Sequence, residues 1–161
     1  MPNDKVRVLF VCMGNICRSP LAAGIFRELV GRAGLADRID VDSAGLGDWH
    51  AGELPDPRTR AVAERRGLKL TSRARQVVPA DLDSFDLVVA MDEENVRGLE
   101  RLRARAKRGT EVRRLREFDE DADDLDVPDP YYGGDEGFER VHDMVERACV
   151  ALLEHIRETR L

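Results

Sequence analysis

The chain has 161 residues, of which 42% are hydrophobic and 36% charged, and its formal net charge is −6. This length suits one globular domain, residues 1–161, with a core large enough to need no disulfide or metal for stability. The acidic balance disfavours a nucleic-acid partner. No apolar run approaches the roughly 18 residues of a membrane-spanning helix, so no membrane partner is expected either.

The cysteines and the first residues bear on the cellular location. Cys12, Cys17 and Cys149 form an odd, small set, which is typical of a reducing compartment. Residues 1–5 lack the basic stretch and long apolar core of a secretory signal. We therefore expect a cytoplasmic protein, while secretion without a cleavable signal and the oligomeric state stay open.

The first predicted elements are a buried strand and an amphipathic helix. Val6–Cys12 reads V-R-V-L-F-V-C, a nearly continuous apolar run that is typical of a strand buried on both faces. Ser19-Pro20 then opens a helix with an apolar stripe, because proline suits the first helical turn. Gly31 and Gly34 indicate where that helix ends.

The rest of the chain continues the same alternation. Strands are predicted over 38–43, 86–91 and 111–115, and helices over 58–66, 92–108 and 134–157. Residues 44–57 hold three glycines and two prolines and indicate a surface loop, and 117–126 holds seven acidic residues and indicates a solvated one. This order implies an α/β fold, a parallel sheet with helices on both faces, whose ligands bind beyond the carboxyl ends of the strands.

The loop between the first strand and first helix, residues 12–19, reads C-M-G-N-I-C-R-S and carries the candidate phosphate-binding site. Backbone N–H groups at a helix N-terminus converge on one point and, with the helix dipole, form an anion cradle. Gly14 and Asn15 tolerate the left-handed backbone that a tightly curled loop requires. Arg18 offers a planar fork for two phosphate oxygens. The expected phosphate-binding residues are Met13, Gly14, Asn15, Ile16, Cys17 and Arg18.

Cys12 is the candidate nucleophile of this loop. A helix N-terminus and an adjacent cation favour the thiolate form of a cysteine, and a thiolate beneath a bound phosphate is placed for in-line attack on phosphorus. A cysteine and an arginine six residues apart form a weak pattern. The alternative is a buried structural Cys12 with an exposed Arg18, but the strand, the glycine and the following helix favour the site.

Asp129, in D-P-Y-Y-G at 129–133, is the candidate general acid. A positioned acid that protonates the leaving oxygen accelerates such a reaction about 10²–10⁴-fold. Pro130 stiffens this loop, and the two tyrosines could form the wall of a pocket for a flat substrate. From spacing alone, a plain Asp-Pro turn explains the same residues equally well.

Together these residues resemble the low-molecular-weight protein tyrosine phosphatase family. The matching segments are V-L-F-V-C-M-G-N-I-C-R-S-P-L-A at 8–22, D-S-A-G at 42–45, D-W-H at 48–50, D-P-R at 56–58, A-R-Q at 74–76, M-D-E-E-N at 91–95 and D-P-Y-Y-G at 129–133. They follow the family's order over nearly the whole chain.

The resemblance implies a four-stranded parallel sheet and hydrolysis of phosphotyrosine in two steps, without a metal or cofactor, on phosphotyrosine-containing proteins. It assigns the nucleophile to Cys12, the phosphate-binding arginine to Arg18, and the general acid and later base to Asp129. It also assigns loop-supporting roles to Asn15, Ser19 and Ser43, and substrate-cleft roles to Met13, Trp49, His50, Tyr131 and Tyr132.

Several points of the resemblance stay open. Ser72 stands where relatives often carry a histidine next to the loop-supporting residues, and its effect on the loop is open. No role carries over to the acidic residues 117–126. Phosphorylation of Tyr131 or Tyr132, known for the second tyrosine in some relatives, is also open. Relatives can protect the nucleophile through a disulfide, here Cys12–Cys17, although Cys17 can equally be a small packed residue.

Three other functions compete with this assignment. Thioredoxin-coupled arsenate reductases share this fold and loop but relay oxidation to further cysteines, and the chain has none between Arg18 and Ala148. A phosphotransfer protein of a sugar-uptake system would need neither Arg18 nor Asp129, and a non-catalytic phosphate-binding module would not need Cys12.

His142 and His155, thirteen residues apart on one predicted helix, do not form a metal site.

Overall fold

The computed structural model describes residues 5–130 and 134–161. Four parallel strands form one sheet in the order β2-β1-β3-β4, which confirms the predicted α/β fold. The strands are β1 (Val6–Cys12), β2 (Ile39–Gly45), β3 (Leu87–Ala90) and β4 (Val112–Arg114). The helices are α1 (Arg18–Arg32), α2 (Pro57–Arg65), α3 (Asp81–Ser84), α4 (Glu93–Arg103) and α5 (Asp135–Thr159), with a 3-10 helix at Leu115–Phe118.

The central strand β1 separates two apolar clusters, because alternate side chains of a strand point to opposite faces. Val8, Phe10 and Cys12 lie in the cluster that contains residues of α1 and α5. Leu9 and Val11 lie in the cluster that contains residues of α3 and α4. Helices therefore cover both faces of the sheet, which explains why β1 is apolar at nearly every position.

Two features of the chain on either side of β3 differ from the prediction: the end of α4 and the short helix α3. The helix expected over 92–108 ends at Arg103. The carboxylate of Asp83 accepts backbone N–H bonds from residues 107–109, and Gly109 takes a φ of 73°, so these residues form a turn instead. Asp83 belongs to α3, a four-residue helix that no periodicity could indicate.

The parallel sheet brings the loops that follow its strands to one edge. Cys12, the last residue of β1, pairs in register with Gly45, the last residue of β2. Val11 pairs with Ala90, the last residue of β3, and Asp92 follows two residues later. No helix of the described ranges is long and apolar enough to cross a membrane.

Candidate active site

The loop after β1 is held through its carbonyl oxygens. Those of Cys12, Met13 and Ile16 accept backbone N–H bonds from Leu46, Gly47 and Asp56 at 3.0, 3.0 and 2.7 Å. Within residues 5–130 and 134–161, no hydrogen bond uses the backbone N–H groups of residues 13–17 as donors. Donors left over beside a helix N-terminus are the groups from which an oxyanion accepts hydrogen bonds.

The thiol of Cys12 lies at the base of this loop. The residue is 2% exposed. Its Sγ lies 3.0 Å from the hydroxyl oxygen of Ser19 and accepts the backbone N–H of Ser19 at 3.4 Å. Hydrogen-bond donors around a sulfur stabilise its negative charge, and the first turn of α1 supplies two such groups next to this sulfur.

Asn15 is the centre of a buried network that shapes the loop. Its φ is 57°, in the left-handed region that asparagine tolerates better than most residues. Its amide nitrogen donates to the hydroxyls of Ser19 at 2.7 Å and Ser43 at 3.0 Å, and its amide oxygen accepts the backbone N–H of Arg75 at 3.0 Å. Ser72, which stands where relatives often carry a histidine, is half-buried and takes no part in these bonds.

Two glycines, Gly45 at the end of β2 and Gly47 in the loop that follows, leave room for close contacts beside the candidate site. A Cβ atom at Gly45 would lie 2.9 Å from the carbonyl oxygen of Met13 and 3.0 Å from the backbone nitrogen of Asn15. A Cβ atom at Gly47 would lie 1.8 Å from the ring of Trp49. A side chain at either position would therefore displace the loop or the tryptophan.

The Asn15 network gives a first testable prediction. We expect Asn15→Ala to lower the free energy of unfolding by about 1–3 kcal/mol and to weaken inorganic phosphate binding. It removes the two buried hydrogen bonds and the half-buried one of the amide group, and alanine tolerates the left-handed region less well than asparagine. Asn15→Gly removes the same bonds but accepts the backbone angle, so it should be about 1 kcal/mol less destabilising. Denaturant unfolding measures the stability of each variant, and inhibition by inorganic phosphate measures its phosphate binding. If the alanine variant is as stable as the glycine variant, the positive φ of residue 15 has no effect on stability, which would contradict the prediction.

Arg18, the first residue of α1, is almost completely buried and points towards two other loops. Its Nη1 donates to the carboxylate of Asp92 at 2.5 Å and to the carbonyl oxygen of Val127 at 2.9 Å. Its Nη2 lies 3.6 Å from the carboxylate of Asp129. Burial disfavours its charge, but Cys12 and the two carboxylates outweigh burial, and the pKa of Arg18 is raised. The guanidinium therefore stays charged.

Sequence reasoning missed the role of Asp92 beside Arg18. It placed this residue only at the start of the helix predicted over 92–108, and the second carboxylate oxygen of Asp92 does accept the backbone N–H of Asn95 at 2.8 Å. One carboxylate thus caps α4 and orients the arginine. The position of M-D-E-E-N directly after a buried strand, at the same sheet edge as Cys12, is the signal that could have indicated this role.

One cavity of about 370 Å³ joins the candidate residues. Its lining consists of Cys12, Met13, Gly14, Ile16, Cys17, Arg18, Trp49, His50 and Asp129. Asn15, Ser19 and Ser43 lie behind the loop and do not line the cavity. Trp49 is 67% exposed at the rim, and the ring of His50 contacts Glu53 at 3.0 Å. The expected cleft residues Tyr131 and Tyr132 lie outside the described residues.

The other two cysteines lie in different surroundings. Burial raises the pKa of Cys17 to about 12, and nearby Asp56 adds to the shift while Thr59 opposes it. Cys149 is completely buried on α5, where its thiol lies 3.7 Å from the carbonyl oxygen of Ala22, and burial raises its pKa too. Among residues 5–130 and 134–161, all three cysteines are free thiols.

A thiol, a charged guanidinium and a carboxylate therefore line one cavity at a helix N-terminus, an arrangement suited to binding a phosphate group. The model of the family described as low molecular weight phosphotyrosine protein phosphatase matches residues 7–161. A low molecular weight protein-tyrosine-phosphatase of Streptomyces coelicolor is 49% identical over 154 residues, covering 94% of each chain. The chain belongs to this family and is a protein-tyrosine-phosphatase, which confirms the resemblance read from the sequence.

Solved structures agree with the family and add one further activity. The crystal structure of YfkJ from Bacillus subtilis matches with a TM-score of 0.91 and 43% identity over 98% of both chains. The structure of DARP, a Drosophila arginine phosphatase, matches with a TM-score of 0.88 and 33% identity over 93% of this chain and 97% of that one. The leaving group of the substrate is therefore a question for the function proposed below.

Proposed function

We propose that residues 1–161 form one phosphatase domain that hydrolyses phosphotyrosine in proteins through a cysteinyl-phosphate intermediate. The observation that carries this proposal is that Cys12, Arg18 and Asp129 line one cavity, with the guanidinium of Arg18 3.6 Å from the carboxylate of Asp129. Phosphoproteins are the substrates that the family implies, and a reducing cytoplasm would keep the nucleophile as a thiol.

In the first step, the Sγ of Cys12 attacks the phosphorus of the bound monoester. The phosphate oxygens accept hydrogen bonds from the backbone N–H groups of residues 13–17 and from the guanidinium of Arg18, which is charged before substrate arrives. A sulfur–phosphorus bond forms and the phosphorus–oxygen bond to the tyrosine ring breaks. Asp129, protonated at this stage, gives its proton to the departing phenolate oxygen.

In the second step, the carboxylate of Asp129 takes a proton from a water molecule, which attacks the phosphorus. The sulfur–phosphorus bond breaks, inorganic phosphate leaves, and Cys12 returns as a thiolate. The hydroxyl of Ser19, 3.0 Å from the sulfur, can stabilise that leaving thiolate. The proton is back on Asp129 at the end, so the cycle needs no metal and no second substrate besides water.

The walls of the cavity favour an aromatic leaving group over a guanidinium. Ile16 and Met13 offer apolar surface, and Trp49 offers an exposed aromatic face at the rim. A phosphoarginine would bring a cationic leaving group into the cavity, where Asp129 is the one carboxylate among the described residues that line it. Since Asp129 is also the proposed acid, the site favours tyrosine over arginine.

An arsenate reductase receives less support from this structure. That activity needs further cysteines to which oxidation is passed, and the candidate beyond the loop is Cys149. This residue is completely buried among apolar side chains of α1 and α5, where no reductase protein could reach it. The lack of any cysteine between Arg18 and Ala148 leaves no other relay.

The proposed function is tested by comparing one peptide phosphorylated on tyrosine with the same peptide carrying phosphoarginine instead. In EDTA, we expect kcat/KM for phosphotyrosine to exceed that for phosphoarginine by at least about 10²-fold, because a guanidinium that pairs with Asp129 keeps this carboxyl group from acting as the acid. Phosphate release measures both reactions. Hydrolysis of phosphoarginine at an equal or higher rate would contradict the proposed substrate, and dependence on a metal would contradict the mechanism.

We also propose that Cys12 and Cys17 form a protective disulfide, and burial of Cys17 makes its formation pH-dependent. Peroxide oxidises the thiolate of Cys12 to a sulfenic acid, and the Cys17 thiolate then attacks that sulfur and expels hydroxide. With a pKa of about 12, little Cys17 is ionised at neutral pH. As long as the pH is below this pKa, we expect the rate of disulfide formation to rise about tenfold with each unit by which the pH is raised.

Mass spectrometry of peptides that contain the linked cysteines measures this rate after a peroxide pulse. The Cys17→Ser variant, which cannot form the bond, gives the rate of Cys12 oxidation alone and serves as the control. A rate that does not change between pH 6.5 and pH 8.5, or oxidised protein without any Cys12–Cys17 bond, would contradict this proposal.

A further inference from the structure

The proposed acid Asp129 lies at the end of an irregular segment. Residues 119–129, here called the acid-bearing segment, contain neither helix nor strand. Backbone ladders therefore do not fix the position of Asp129, and this segment must be held by contacts with the rest of the protein. A general acid works only when its carboxyl group lies within hydrogen-bonding reach of the leaving oxygen.

Arg116 is a buried charge directly beneath the acid-bearing segment. The residue is 3% exposed and belongs to the 3-10 helix. Its Nη1 donates to the carbonyl oxygen of Asp126 at 3.0 Å, and its Nη2 donates to the carboxylate of Asp123 at 3.1 Å. Its Nε has no hydrogen-bond partner among the described residues. Both contacts of this guanidinium are with the acid-bearing segment.

Stability alone is a weak explanation for burying this arginine. Removing a guanidinium from water is costly unless its donors are satisfied, and here one of them is not. The carboxylate of Asp123 is 94% exposed, and ion pairs with a solvated partner contribute little. What Arg116 supplies instead is a fixed point for a loop that has no regular structure.

A short chain of bonds leads from Arg116 to the catalytic groups. The carboxylate of Asp126 accepts the backbone N–H of Glu93 at 3.0 Å, which ties the segment to α4. The backbone N–H of Val127 donates to the carbonyl oxygen of Met91 at 2.7 Å. The carbonyl oxygen of Val127 accepts a hydrogen bond from Nη1 of Arg18 at 2.9 Å. Asp129 follows two residues later.

We propose that Arg116 is a positioning residue for the general acid: by holding the carbonyl of Asp126, it fixes the acid-bearing segment so that Asp129 meets the leaving oxygen. This inference rests on the proposed function, because it needs Asp129 to be the acid. It assigns to Arg116 no contact with the substrate and no proton transfer.

The test uses the dependence of kcat/KM on the leaving group. For a two-step enzyme, kcat/KM reports the steps up to release of the phenol, where Asp129 acts as an acid. The phenolate of phosphotyrosine, with a pKa near 10, needs that proton, whereas 4-nitrophenolate leaves readily without it. A displaced acid therefore lowers kcat/KM for phosphotyrosine more than for 4-nitrophenyl phosphate, while general destabilisation lowers both equally.

We expect Arg116→Met to lower kcat/KM about 10- to 100-fold with phosphotyrosine and less than about 3-fold with 4-nitrophenyl phosphate. The inhibition constant of inorganic phosphate, which reports on Arg18, should change less than about 3-fold. Arg116→Lys keeps a charge that can hold one of the two acceptors, so it should lie between wild type and Arg116→Met, and it serves as the test variant if Arg116→Met does not fold.

The matched control is Arg147→Met. Arg147 also forms an ion pair with the acid-bearing segment, because its Nη2 lies 3.0 Å from the carboxylate of Asp119. Asp119, however, lies ten residues before Asp129. Arg147→Met should change kcat/KM for both substrates by the same small factor. Equal losses with both substrates in the Arg116 variants, or unequal losses in the Arg147 variant, would overturn the inference.

Asp129→Asn separates this inference from the proposed function. If that variant loses phosphotyrosine activity selectively and the Arg116 variants do not, Arg116 has no positioning role and the proposed function stands. If Asp129→Asn itself shows no selective loss, the proposed acid is wrong, and the inference about Arg116 fails with it.

Discussion

Replacing Cys12 with serine is expected to reduce phosphotyrosine hydrolysis to the background rate, a loss of more than about 10⁴-fold. A serine hydroxyl stays protonated at neutral pH and is a far weaker nucleophile than a thiolate. The side chain keeps its size and can still contact the hydroxyl of Ser19, 3.0 Å from the present sulfur. Steady-state kinetics and phosphate binding, measured on the same preparation, check both statements.

The control for this variant is Cys17→Ser. Cys17 also lines the cavity, but only its backbone N–H takes part in the proposed chemistry, and serine keeps that group, so the variant should retain substantial activity. Turnover by Cys12→Ser well above background would contradict the nucleophile. An active Cys12→Ser variant together with an inactive but folded Cys17→Ser variant would show that the two cysteines had been assigned the wrong way round.

Replacing Asp129 with asparagine is expected to lower kcat/KM for phosphotyrosine about 10²–10⁴-fold. Asparagine has nearly the same shape but cannot give a proton to the phenolate oxygen. The loss should be smaller for 4-nitrophenyl phosphate, since its leaving group needs less help. Steady-state kinetics with both substrates give the comparison.

Asp121→Asn is the matched control for the general acid. Asp121 lies in the same acid-bearing segment, exposed to solvent, and does not line the cavity. It should leave kcat/KM within about 2-fold of wild type, as surface substitutions usually do. An Asp129→Asn enzyme with full activity on phosphotyrosine would identify Asp129-Pro130 as the plain turn that its spacing also allows.

The sheet and its order of elements could be predicted because buried parallel strands have a simple pattern. Val6–Cys12 is apolar at nearly every position, and helices with apolar stripes separate it from the following strands. The helix α3 could not be predicted because four residues show no periodicity. The end of α4 could not be predicted either, because the turn that follows it is held by the carboxylate of Asp83, more than 20 residues earlier in the chain. Such ends depend on tertiary contacts.

One part of the candidate site could be predicted from the sequence and another part could not. Residues 12–18 are contiguous, so their types and spacing alone indicate an anion-binding loop. The partners of Arg18 are not contiguous: Asp92 lies 74 residues further along the chain and Val127 lies 109 residues further. Asp92 meets the arginine because β3 pairs directly with β1, and Val127 does so because its N–H donates to the carbonyl oxygen of Met91. No local pattern of residues specifies either arrangement.

The central claim, that phosphate passes through the sulfur of Cys12, is tested most directly by trapping the intermediate. In the Asp129→Asn variant, which lacks the base for the second step, 4-nitrophenyl phosphate should give a burst of phenol equal to the enzyme concentration. Acid quenching followed by peptide mass spectrometry should then place one phosphate on Cys12. A reaction without a burst, or a phosphate on any residue other than Cys12, would contradict the account.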